Sequence, residues 1–242
     1  MGFDVEEVPS QEEIPYSFYD YLMQPIKLSR RIFTAMVSNP KLRYWILALL
    51  ISSIFTATGS WLVLNKLKLV VRVSEELPQV TPSLVENIVE AFLRNPLIIF
   101  INSLISEVIT SLLAAVIIFA LVRSLAGKGS FSSSVMIAGL RSLPSIAYGV
   151  LLALLGFSMP EVEWVIEVGP QFGLSGARMS VPWEIFAQEF LLQFFISIWF
   201  LLVLLMSFLN GYGMVKGKAA AASLITWIVS NAFLIIGILP YI

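Results

Sequence analysis

Five long stretches of this chain run almost without polar interruption. Tyr44–Leu64 carries no charge, Pro96–Val122 only Glu107, Ser130–Gly156 only Arg141, and Phe190–Leu209 and Ala219–Ile242 none. A helix packed on one face in a soluble domain shows polar residues every third or fourth position, and these stretches do not. At about 1.5 Å rise per residue, about 20 apolar residues cross a bilayer core of about 30 Å. The pattern predicts an all-α integral membrane protein: a bundle of five transmembrane helices near residues 44–64, 97–122, 132–156, 186–209 and 219–240. They form one membrane domain, 25–242, behind an acidic and aromatic N-terminal tail, 1–24. A transmembrane barrel needs short alternating segments, whereas these runs are continuous and rich in Leu, Ile and Ala.

The segments between spans show a different periodicity. Pro25–Ser38 reads as one helix with Pro25 in its first turn. Ile26, Phe33, Met36 and Val37 fall on one side, and Lys27, Arg30 and Arg31 on or near the other. Such a helix either lies on anionic lipid or packs against the bundle. Thr81 suits an N-cap and Pro82 a first helical residue, with Leu84, Val85, Ile88, Val89, Phe92 and Leu93 as an apolar stripe. Amphipathic helices are therefore expected before the first and second spans. The pattern Ile32…Ala35-Met36-Val37…Asn39-Pro40 returns as Ile88…Ala91-Phe92-Leu93…Asn95-Pro96, which a common helix stop explains as well as an inverted repeat. Tyr16, Tyr19 and Tyr21 suit the headgroup zone, where an apolar ring has a wet tip. Met159–Pro182, with Glu161, Glu163, Glu167 and a Gly-rich stretch, reads as an irregular exposed loop.

Composition narrows the chemistry. The 242 residues are 58% hydrophobic and 13% charged, with net charge −1, no Cys and no His. The lack of Cys excludes a disulfide framework and thiolate chemistry, and the lack of His removes the usual metal ligand and general base. The charge balance points to no nucleic-acid partner. No catalytic, cofactor-binding or metal-ligating set is expected, and an intramembrane enzyme ranks last. The acidic start (Asp4, Glu6, Glu7, Glu12, Glu13) does not read as a cleavable signal. Lys27, Arg30, Arg31, Lys41, Arg43, Arg123, Lys128, Lys216 and Lys218 fall on the N-terminal side of the membrane. Lys66, Lys68, Arg72, Arg94 and Arg178 fall opposite. That bias predicts a cytoplasmic N-terminus and an extracytoplasmic C-terminus.

Two ionisable groups lie within spans. Each costs about 2.5–3.5 kcal/mol at mid-membrane on insertion scales, so Glu107 and Arg141 are expected to pair across spans two and three, with their depths differing by about 9 Å at a helical rise. The pair reads as a fold-specifying contact or as a gate. Alternatively, Arg141 reaches to the headgroups. Pro144 frees a carbonyl one turn back, and with Gly139 nearby it marks the expected kink of span three.

The layout resembles the Ypt-interacting protein (Yip) domain family in its divergent prokaryotic form. The residues that carry the likeness are the basic lead Arg30-Arg31 ending at Asn39-Pro40 and the second Pro-ended helix Thr81–Pro96. The Gly127-Lys128-Gly129-Ser130-Phe131 turn before a span with a central Pro144, and a basic turn before the final span, complete it. Eukaryotic members carry Asp-Leu-Tyr-Gly-Pro and Gly-Tyr signatures; this chain has Asp20 and Pro25 at looser spacing and Gly139-Leu140. The resemblance implies a five-span, non-enzymatic scaffold or adaptor of membrane organisation or trafficking, in the cell membrane of a prokaryote. Its partners would be the lipid bilayer, other membrane proteins, or a cytoplasmic protein met through the N-terminal arm, with Tyr16, Tyr19, Tyr21, Lys27, Arg30 and Arg31 as candidate contacts. The alternative is a transporter, channel or lipid scramblase using Glu107, Arg141 and the Pro144 kink, which five spans favour only as a homo-oligomer.

Overall fold

A computed structural model describes residues 15–73, 81–126, 129–168, 177–180 and 183–231. The acidic stretch Met1–Glu13, Lys128, the Gly-rich stretch 169–176 and residues 232–242 lie outside the described residues. The N-terminal arm forms α1 (Phe18–Lys27) and α2 (Arg30–Ser38), and α3 (Leu42–Leu64) follows. Strand β1 (Leu67–Val73) and α4 (Pro82–Leu93) lead to α5 (Pro96–Leu125). Next come α6 (Phe131–Ala138), a 3-10 turn at Gly139–Arg141 and α7 (Ser142–Ser158). Strands β2 (Val162–Val168) and β3 (Ala177–Ser180) precede α8 (Trp183–Met206), a π-turn at Ser207–Gly211 and α9 (Lys216–Ser230).

Four helices among the described residues are long and apolar enough to cross a membrane: Leu42–Leu64, Pro96–Leu125, Phe131–Ser158 and Phe190–Gly211. They make the chain a multi-pass integral membrane protein. Of the fifth expected span, α9 is described to Ser230, and the remainder falls among residues 232–242.

Around the bundle, α3 packs on α7, α7 on α8, α8 on α9, α9 on α5, and α5 back on α3. The tightest seam is α3 against α7, and its cause is small residues. A Cβ at Gly149 would strike the Phe55 backbone, one at Gly59 the Gly149 carbonyl, and one at Gly156 the Leu62 backbone. Without these side chains the two backbones approach closely, as membrane helices do where packing rather than water drives association. The surface is inverted relative to a soluble protein. Ile46, Ile54, Ile105, Ile109, Leu154 and Phe195 are exposed, while Ser52, Ser53, Ser111, Ser133 and Ser134 are buried. Some buried serines bond back along their own helices, as Ser52 does to the Leu49 carbonyl at 3.0 Å and Ser223 to the Ala219 carbonyl at 2.7 Å.

Two expectations are corrected. The fold is not all-α, because a three-stranded sheet in the order β1-β2-β3 closes one end of the bundle. Its middle strand and third strand occupy the loop 159–182 that reads as irregular. β1 and β2 pair in parallel from Leu67↔Val162 to Val73↔Val168, and β2 and β3 pair antiparallel. The parallel pair exists because α3 and α7 run parallel along their seam and each continues into a strand. Leu67, Leu69, Val63, Leu152 and Met159 form a small core beneath it.

The second correction concerns the arm. Pro25–Ser38 is two helices, and Pro25 lies in the last turn of α1. Ser17 starts α1 earlier: its hydroxyl accepts from the Asp20 N–H while Asp20 accepts from the Ser17 N–H, a reciprocal cap. Leu28, at φ 47°, stops the helix, with its N–H donated to the Gln24 carbonyl at 2.8 Å. Left-handed backbone is costly for a residue with a Cβ, and the Gln24 Nε2 bond to the Ser29 carbonyl at 2.8 Å holds the turn. The aromatic segment is no separate tail, since Tyr16, Tyr21 and Gln24 are buried in the bundle.

Candidate functional site at the arm end

The end of the bundle that receives the arm gathers most of the buried aromatic and polar groups. α2 lies against α6 and the π-turn. Phe33 and Met36 are 0% exposed and Ala35 1%, while Arg30, Arg31 and Thr34 on the other side are exposed. Burying one face of a short helix so fully stabilises it beyond its own propensity, since nine residues are too few to be stable alone. Gly211 leaves room for Val37 and Phe33, and the Thr34 hydroxyl donates to the Asn210 carbonyl at 3.2 Å.

Aromatic tips then tie the arm to the spans. Tyr16 Oη donates to the Asn39 carbonyl at 2.8 Å and accepts from the Lys41 N–H at 3.1 Å. Tyr21 Oη donates to the Met136 carbonyl at 3.1 Å. Trp199 Nε1 donates to the Pro25 carbonyl at 3.0 Å, and Trp45 Nε1 to Ser111 Oγ at 2.8 Å. Gly139 is the seat for two of these rings: a Cβ there would collide with Trp45 Cδ1 and with Tyr21 Oη. α1, α3 and the 3-10 turn thus meet at one glycine, and Trp45 carries the contact on to Ser111 of α5.

Burial pushes the Tyr21 phenol far above its ordinary value of 10.0, and Tyr16 also upward. Asp20 is held below the usual carboxylate value by the Ser17 N–H first, then the Ser17 hydroxyl and Lys27, which lies at 3.3 Å.

The candidate contact residues therefore divide. Tyr16 and Tyr21 are 4% and 1% exposed and serve as internal anchors, so they offer no surface to a partner. Tyr19 is 60% exposed, with Lys27 Nζ 4.7 Å from its ring centroid. Lys27, Arg30, Arg31, Arg43, Arg123, Lys216 and Lys218 are exposed around this end, where Asp20 is the one carboxylate among the described residues. The opposite end is balanced instead. Arg94 pairs with Glu90 at 3.2 Å and donates to the Leu67 carbonyl at 2.8 Å. The strand register sets Lys68 opposite Glu163, Arg72 opposite Glu167, and Glu167 opposite Arg178.

Glu107 and Arg141 are not joined: the ion pairs among the described residues are Lys27–Asp20 and Arg94–Glu90. They stay apart because α3 packs between α5 and α7. The helical irregularity of span three is the 3-10 turn Gly139–Arg141, ending three residues before Pro144. Trp45, Trp199 and Gln24 are anchors that the residue pattern did not single out. No group of three or more His, Cys, Asp or Glu suited to a metal occurs among the described residues.

Comparison of the chain with protein-family models, with curated proteins and with solved structures finds no match. What can be said of function rests on the chain's own chemistry.

Proposed function

We propose that this protein is a non-enzymatic membrane scaffold or adaptor, as its resemblance to Yip-domain proteins implies, with the arm end facing the cytoplasm and α2 as its contact surface. One observation carries the reading: α2 is locked into the bundle by Phe33, Ala35 and Met36 while Arg30 and Arg31 remain outside. A basic helix held rigidly loses little conformational entropy when an acidic partner binds it, which is what an adaptor surface needs. The excess of basic groups at that end supports the cytoplasmic assignment.

Purification from native membranes in mild detergent tests the reading, comparing the intact chain with the double variant Arg30→Glu/Arg31→Glu. A near-stoichiometric protein present with the first and missing from the second, at equal thermal stability, is expected. Identical preparations in both cases refute the adaptor role. Removing the whole arm is the wrong control, because it strips Tyr21, Phe33 and Met36 from the core. Orientation is tested separately, since the chain has no Cys: Gly217→Cys at the arm end should be shielded from an impermeant thiol reagent in intact cells, and Lys68→Cys labelled. The pathway reading has one observation in its favour, the unpaired and half-buried Glu107. Ion or lipid flux in liposomes that Glu107→Gln abolishes would replace the scaffold reading.

A further inference from the structure

Arg141 is the one basic residue within the four apolar helices away from their ends, and its surroundings do not satisfy it. Its Nη1 is fully buried and has no hydrogen-bond partner. The next residue, Ser142, is 1% exposed and its hydroxyl is likewise unpartnered. The 3-10 turn that carries Arg141 touches α1 and α8, and on α1 the 0% exposed Gln24 has an unpartnered Oε1. Native interiors seldom leave such atoms unbonded; Gln24 Oε1 is an acceptor that an anion does not satisfy, so it is the two donors, Arg141 Nη1 and the Ser142 hydroxyl, that call for a missing anionic partner.

The chemistry of that partner follows from the donors. A guanidinium offers a rigid planar fork that matches an oxyanion, and a serine hydroxyl adds a third donor. Glu107 does not supply the anion, since α3 stands between. The site is reachable, because Arg141 as a whole is only half-buried. Gly139, two residues earlier, seats Trp45 of the first turn of α3, and a long Arg side chain can extend toward headgroup level. The exposed bases around this end raise the local concentration of anions.

We infer that Arg141 and Ser142 form a phosphate-binding site at the break in span three, where the 3-10 turn meets α1 and α8, with a phospholipid headgroup or free phosphate supplying the oxyanion. The inference is independent of the adaptor reading, which rests on the outer face of α2.

The test uses the full-length protein, delipidated in a neutral detergent. Phosphatidylglycerol, phosphatidylcholine and inorganic phosphate are added separately, and binding is read by native mass spectrometry and by shift in thermal midpoint. The wild type is expected to retain phosphatidylglycerol, with Arg141→Gln weakening it about tenfold or more, as the loss of a charge-assisted hydrogen bond implies. Arg141→Lys should fall between them and guards against a variant that merely fails to fold. A response to inorganic phosphate equal to that of the lipid, lost in the same variants, supports the site with a free anion as its ligand. Equal lipid and phosphate binding by wild type and Arg141→Gln overturns it. So does a chain lacking residues 1–14 that loses the same stability as Arg141→Gln while no phosphate compound binds either, because the acidic segment is then the counter-anion.

Discussion

The two ends of the bundle are held by different forces. At the arm end, side-chain donors reach distant carbonyls: Tyr21 to Met136, Trp199 to Pro25, Tyr16 to Asn39. At the sheet end, backbone pairs with backbone along seven residues of β1 and β2. The charges differ in the same sense. Among the described residues, Arg30, Arg31, Arg43, Arg123, Lys216 and Lys218 at the arm end are exposed with Asp20 as the one carboxylate near them, whereas Arg94 and Lys68 at the sheet end meet Glu90 in contact and Glu163 in register. The arm end should therefore be sensitive to single side chains and the sheet end indifferent to them, because a ladder of backbone bonds is not removed by substitution.

The largest effect should come from Phe33→Ala. Phe33 is 0% exposed between α2 and the π-turn, and emptying such a site costs about 3–5 kcal/mol. Unfolding in detergent, followed by proteolysis of the arm, measures it; an arm that stays protected would break the comparison. Gly139→Ala comes next. The new methyl meets both Trp45 and Tyr21, and overpacking of this kind costs about 1–3 kcal/mol. The expected signature is a blue or red shift of tryptophan fluorescence together with faster cleavage near Leu28.

Alkaline pH separates the ends without mutation. Tyr16, Tyr21 and Tyr212 all have phenol values raised by burial above 10.0. Their stabilising contribution is complete below pH 10 and is lost as pH climbs through the raised values, since the unfolded phenols ionise first. Phenolate absorbance should thus appear late and together with release of the arm, while amide exchange in β1 and β2 stays slow. Ionisation without release would show that these phenols are not anchors. The smallest effect should be Lys68→Ala, on an exposed strand position opposite Glu163, within about 0.5 kcal/mol of the parent. A larger loss would mean that the sheet depends on side-chain charge after all.

Much of this was legible in the residues. Tyr44–Leu64 and Pro96–Val122 announce spans because nothing else accommodates so long an apolar run. Thr81-Pro82 marks a helix start and Asn95-Pro96 a helix stop, and both are helix boundaries in the fold. The split of the arm was less legible, because Pro25 fits a first turn and a last turn equally, and the deciding residue is Leu28, whose left-handed backbone no local rule favours. The sheet had a signal: Val162-Glu163-Trp164-Val165-Ile166-Glu167-Val168 alternates with period two. It was obscured by the Gly-rich stretch that separates it from its antiparallel partner β3, and by its parallel partner β1 lying about 95 positions away.

From residue order alone came the membrane, the apolar helices, the absence of thiol and imidazole chemistry, and the basic bias of one end. These follow from transfer free energies and side-chain chemistry, which each residue carries with it. Only the tertiary structure decided that Tyr21 is an anchor and Tyr19 a surface group, that Gly139 seats two rings, and that Glu107 and Arg141 stand apart. Those outcomes depend on which helix stands beside which, and an intervening α3 is visible only in three dimensions.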